Sequence, residues 1–123
     1  MDAVVKKISD FLEKEHRDDR TVVKSPAVIG EVIAIEDAHF RKGDNGKPYV
    51  SVYFYYYTDV EKTPYCWNTS SSVIMDQIRK LKDKRAFDDG EPVLALVGKR
   101  KNKAGLWYYT LLDPDDEPVS EEE

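Results

Sequence analysis

The 123-residue sequence has one cysteine, Cys66, and two histidines, His16 and His39. A lone cysteine rules out an internal disulfide and any zinc site built from cysteines, and so few histidines make a structural metal site unexpected. No apolar run approaches the ~20 residues of a membrane-spanning helix, and the start of the chain has no signal-peptide core. A soluble, cytoplasmic protein that needs no cofactor is the expectation. Signatures of enzymes are also missing. There is no glycine-rich phosphate loop, serine elbow or cysteine–histidine arrangement. The acid pairs Asp18-Asp19, Asp88-Asp89 and Asp115-Asp116 fall in expected linkers, turns or the tail. Rigid strand ends, where a metal nuclease would hold its ions, carry none of them. The sequence therefore predicts a non-catalytic protein.

What is present is charge and tyrosine. Apolar content of 41% against 35% charge suggests one small globular unit with polar extensions. The net charge of -5 hides an asymmetry. Residues 113–123, DPDDEPVSEEE, hold seven acids and no base, so the other 17 acids face 19 bases and residues 1–112 carry +2. A mildly basic body with an acidic tail points towards a polyanionic partner.

Five of the eight tyrosines lie in residues 48–58, PYVSVYFYYYT. β-Branched and aromatic residues dominate the stretch, which reads as a strand whose side chains alternate between two faces. Val50, Val52, Phe54 and Tyr56 form the expected core face. Tyr49, Ser51, Tyr53, Tyr55 and Tyr57 form the other, a row of phenols that is costly to bury without hydroxyl partners.

Around this strand the chain divides into three parts. Residues 1–23 are expected to form an amphipathic helix over 3–15, with Val4, Val5, Ile8, Phe11 and Leu12 on one side, followed by a charged linker. Residues 24–112 form the body, and 113–123 a disordered acidic tail. In the body, residues 26–42 read as a long strand bent at Gly30, and Gly43-Asp44-Asn45-Gly46 as a hairpin turn. A third strand covers 64–69. The serines 70–72 precede a helix over 73–85 with Ile74, Ile78 and Leu81 on one side. Strands at 92–100 and 106–112 close the body through the basic turn 101–105.

Three strands, a helix and two more strands is the order of the five-stranded OB-fold Greek-key barrel, with here an extra N-terminal helix. Residues 24–112 resemble a single-stranded-DNA-binding OB domain. The acidic tail resembles those of bacterial and phage single-strand-binding proteins. The resemblance implies a DNA replication or recombination role, in the host cytoplasm if the protein is phage-encoded. It also implies single-stranded DNA as ligand, with replication or repair proteins meeting the tail. Bacterial tails of this kind end on an apolar residue; this one ends Ser120-Glu121-Glu122-Glu123, which departs from the docking pattern.

Sequence-tolerant binding of a single strand needs rings for bases and cations for the backbone. The expected rings are Tyr49, Tyr53, Tyr55 and Tyr57, then Tyr65 or Trp67 on the third strand. A small, buried Cys66 would turn Trp67 outward. On the last strand either Trp107 and Tyr109 or Leu106 and Tyr108 face out, and Trp107 is favoured. The expected cations are Arg41, Lys42 and Lys47 in the first loop, and Lys99, Arg100, Lys101 and Lys103 in the last. The charges of the helix over 79–85 read as a solvated face. An RNA-binding OB domain, or a protein-interaction module using the tyrosine face, remains the alternative. Self-association through the N-terminal helix would let several modest sites coat a strand.

Overall fold

The computed structural model describes residues 20–121. The expected N-terminal helix lies outside them. The described chain is mainly β, a strongly curled half-barrel sheet. Its strands are β1 (Thr21–Val23), β2 (Val32–Lys42), β3 (Pro48–Tyr56), β4 (Tyr65–Thr69), β5 (Val93–Lys101), β6 (Trp107–Leu112) and β7 (Val119–Glu121). Two helices interrupt them, α1 (Ser25–Val28) and α2 (Ser72–Asp83). Neighbours in the sheet run β1-β4-β3-β2-β5-β6, with β7 added in parallel on β5.

Seven strands form where five were expected, and the reasons are local. β1 pairs in parallel with β4, so α2 follows the fourth strand of the chain and not the third. Residues 25–28 do not continue a strand. Pro26 sits in the first turn of α1, where its missing N–H costs nothing, and Val28 drops into the core. Gly30 lies in the turn before β2 with φ +83, not inside the strand. The bend of β2 is instead a bulge between Ile35 and Asp37, where an extra residue slips the register with β3. Asp37 steadies it by accepting the Ala38 amide at 2.8 Å.

The core lies between the inner face of the sheet and α2. Ile33, Ile35, Ala38, Val50, Val52, Phe54, Ala95 and Val97 meet Ile74, Met75 and Ile78 there. Ser71 caps α2 by accepting the Ile74 amide. The helix stops where Arg85 turns left-handed, φ 57, and the Ala86 amide reaches back to the Leu81 carbonyl. Among the described residues no ladder joins β6 to β4 or β1, so the curl stays open. Gln77 of α2 covers part of the free β6 edge. Its side-chain amide donates to the Leu111 carbonyl at 3.0 Å and accepts the Leu111 amide at 2.9 Å, pairing with β6 as a strand would.

The tail also differs from the expected disorder over 113–123. β2 begins only at Val32, which leaves the β5 edge beyond Val97 without a β2 partner. Val119–Glu121 pair there with Lys99–Lys101.

Candidate functional site

The alternation read from the tyrosine stretch is present in β3. Val50, Val52 and Phe54 are buried on the core side, and Tyr56 packs against them. The opposite row is not an open platform. Tyr53 is 4% exposed and Ser51 is fully buried. The Arg20 guanidinium lies 5.0 Å above the Tyr53 ring, and His39 lies 5.2 Å to its side. Arg41, expected to face phosphates, turns onto its own sheet: Nε donates to Ser51 Oγ at 2.8 Å and Nη2 to the Tyr53 hydroxyl. Ser51 in turn donates to Asn68 Oδ1 at 2.5 Å. The half-buried Arg41 guanidinium gives the buried Tyr53 hydroxyl a partner, which removes the cost that argued for exposure. Arg20 was expected in a charged linker, and no sequence pattern marks it as the cover of this face.

Tyr49 and Tyr55 are half-buried, and Tyr57, one residue past the end of β3, is exposed. Lys62 lies 5.6 Å over Tyr55. In the adjoining turn the Asp59 carboxylate accepts the Glu61 and Thr63 amides, each at 3.0 Å. Hydrogen bonds from the Thr63 side chain and these amides hold the Asp59 carboxyl below its ordinary pKa. On the core side, burial first, then Tyr65 and Glu31, push the Tyr56 phenol upward.

Trp67 reverses the expectation. It is fully buried in the core, and its indole N–H donates to Ser25 Oγ at 3.0 Å. Tyr65, Trp67 and Thr69 do share one face, but that face is the inner one. Cys66 is buried too, opposite Tyr53 on the other side of the sheet. Both faces of β4 are covered, so a small buried cysteine does not imply an exposed indole.

Of the pair Trp107 and Tyr109 expected to face out, Tyr109 packs against the core and Trp107 is the exposed one. It is 46% exposed, with Lys99 Nζ 5.3 Å and Lys101 Nζ 5.9 Å from its ring. The grouping follows from pairing and parity: Lys101 faces Trp107 across the ladder, and Lys99 lies two residues along the same face of β5. Tyr109 and Leu111, further along that face of β6, pack against the core. Lys99, Trp107, Tyr108 and Tyr109 enclose a small cleft of about 140 Å³. Lys103 is exposed in the adjoining turn. Arg100 points the other way and is held by the tail, with Nη2 3.7 Å from Asp116 Oδ1.

Lys42 and Lys47 are exposed near the β2–β3 turn, and Lys47 lines a cleft with Pro48, Tyr49 and Ser70. The two basic hairpins do not meet on one side. β5 pairs antiparallel with β2, Ile35 with Val93 and Val32 with Leu96, so its run to Lys101 leads away from the β2–β3 turn. The structure thus gathers Trp107, Lys99 and Lys101 at one end of β2, and Lys42, Lys47 and Tyr49 at the other. Phe40, missed in the sequence, is an exposed aromatic on β2 beneath the Arg79 guanidinium, 5.0 Å from its ring centroid.

Among the described residues no group of three or more histidine, cysteine or carboxylate side chains is placed to hold a metal ion, and no helix is long and apolar enough to cross a membrane. No protein-family model, curated protein or solved structure matches the chain.

Proposed function

We propose that the protein binds single-stranded DNA without catalysis, on a barrel of OB type. The observation that carries the reading is Trp107, a half-exposed indole with two ammonium groups over its ring. An unpaired base stacks on such a ring whatever its sequence, while the lysines neutralise the adjoining phosphates. The connectivity supports the reading: β2 pairs with both β3 and β5, and α2 lies between β4 and β5, as in an OB barrel whose first strand serves both halves. The burial of Tyr53 and Trp67 moves the proposed site from the middle of the sheet to the β5–β6 hairpin.

One stacked base contributes about 1–3 kcal/mol, so a few rings with several phosphate contacts reach micromolar affinity, about 8 kcal/mol. Several copies acting together would coat a strand more tightly, in replication or recombination, and the acidic tail would meet partner proteins. RNA remains the alternative ligand, because stacking and phosphate contacts do not distinguish the two sugars.

The test is tryptophan fluorescence of the full chain, titrated with oligo-dT, oligo-U and duplex DNA at several salt concentrations. Trp67 is buried, so quenching reports Trp107. Quenching by oligo-dT that weakens steeply with salt supports the proposal. No quenching and no binding by any of the three removes it, and a preference for oligo-U moves it to RNA.

A further inference from the structure

Trp107 is not the only aromatic side chain that a hairpin carries past the end of the core among cations. On β2, Phe40 follows buried Ala38 on the core-side face and is 38% exposed. Lys42 comes next on that face by alternation. Pro48 pairs with Lys42 across the ladder, and α2 supplies Arg79, stacked over the ring. Phe40, Arg41, Lys42, Pro48 and Arg79 line an open cleft of about 400 Å³. Arg79 also meets Asp76 at 2.8 Å, but both side chains are more than half exposed, and so wet a pair contributes little and yields readily to a phosphate. The cleft therefore repeats the chemistry of the Trp107 site, a partly exposed ring with two cations beside it.

We propose that the Phe40–Lys42–Arg79 cleft is a second nucleotide subsite, taking one base against the Phe40–Arg79 stack and its phosphate on Lys42 and Arg79. The inference rests on the proposed binding of single strands. It adds that one strand engages both ends of β2, since the antiparallel register places this cleft and Trp107 at opposite ends of that strand. Guanidinium planes accept unpaired bases as aromatic rings do. The charges assigned from sequence to a solvated helix face thus include one ligand-binding arginine.

The experiment compares full-length wild-type protein with Arg79→Gln and Phe40→Leu. Anisotropy of labelled oligo-dT is measured with a 4-mer and a 20-mer, and Trp107 quenching with the 4-mer. Arg79→Gln changes an exposed helix position, and Phe40→Leu keeps an apolar side chain, so circular dichroism should show both folded. Each substitution is expected to weaken the 20-mer about fivefold or more, within the range of one lost stacked base. Arg79→Gln should also lower the salt slope by about one. Quenching of Trp107 by the 4-mer should persist in both variants. Wild-type binding left unchanged by both substitutions overturns the subsite alone. No binding by the wild-type chain overturns the subsite together with the function proposed above.

Discussion

The Lys99 amide donates to the Pro118 carbonyl at 2.7 Å, beside a residue with no side chain. A Cβ on Gly98 would lie 2.7 Å from that same carbonyl oxygen and 2.5 Å from Leu112 Cδ1. The leucine can turn aside, but the tail backbone would have to move. Asp116 and the Pro118 carbonyl also occupy Arg100, between the two lysines at the Trp107 site. The tail thus lies against the hairpin proposed to bind phosphates, and its carboxylates are expected to compete there. Deleting residues 113–123 should tighten oligo-dT binding at low salt by about fivefold, roughly 1 kcal/mol. Gly98→Ala should act in the same direction, and added salt should shrink both gains. Equal affinities for the three proteins across the salt series would show that the tail does not compete.

Trp107→Ala tests the proposed platform directly. The ring is half in solvent, so its loss should change the urea midpoint little while weakening oligo-dT about 5- to 150-fold, the equivalent of one stacked base. Anisotropy supplies the affinity, because the variant loses its reporting indole. Trp107→Phe should recover much of the loss. A variant that binds as tightly as wild type would leave Lys99 and Lys101 as solvated charges at the end of β5.

Local chemistry made much of this architecture legible. Alternation in 48–58 marked Val50, Val52 and Phe54 as core, the Gly-Asp-Asn-Gly turn marked the β2–β3 hairpin, and serines followed by Ile74, Ile78 and Leu81 marked α2. The failures share a cause, which is that local pattern does not report what covers a face. Trp67 and Cys66 lie on opposite sides of β4, and nothing between 64 and 69 says that both sides are covered. Tyr53 looked too polar to bury because its partners, Arg41 and Arg20, lie 12 and 33 residues away. β7 could not be read from a segment with so little to bury, because it forms on an edge left bare by the late start of β2.

The covered faces make a prediction opposite to a simple exposed-tyrosine surface. Tyr53→Ala and Trp67→Ala should each destabilise the fold, by about 3–5 kcal/mol for a buried large aromatic. Trp67→Ala also strands Ser25 Oγ, the acceptor of its indole N–H. Urea denaturation of both variants beside Tyr57→Ala, an exposed ring, supplies the contrast: only the first two should shift the midpoint strongly. A Tyr53→Ala protein as stable as wild type, with weakened binding, would return that ring to the ligand-facing surface.

Gln77 gives the last test, of how the open curl is held. Its amide exchanges two hydrogen bonds with Leu111 and donates a third to Thr110 Oγ1 at 3.1 Å, tying α2 to the β6 edge. A β edge without partners recruits other chains, and one side-chain amide here satisfies both the N–H and the C=O of a single residue. Gln77→Leu fills the same volume but leaves those two backbone groups, and the half-buried segment around them, without partners. The expected cost is about 1–3 kcal/mol per group left without a hydrogen bond, so the variant should unfold at clearly lower urea. Gln77→Glu keeps the acceptor for the Leu111 amide and loses only the donor, so it should fall between Gln77→Leu and wild type. Hydrogen exchange at the Leu111 amide separates this role from simple packing. It should accelerate in Gln77→Leu and stay slow in Gln77→Glu, whereas a packing role would predict the reverse order.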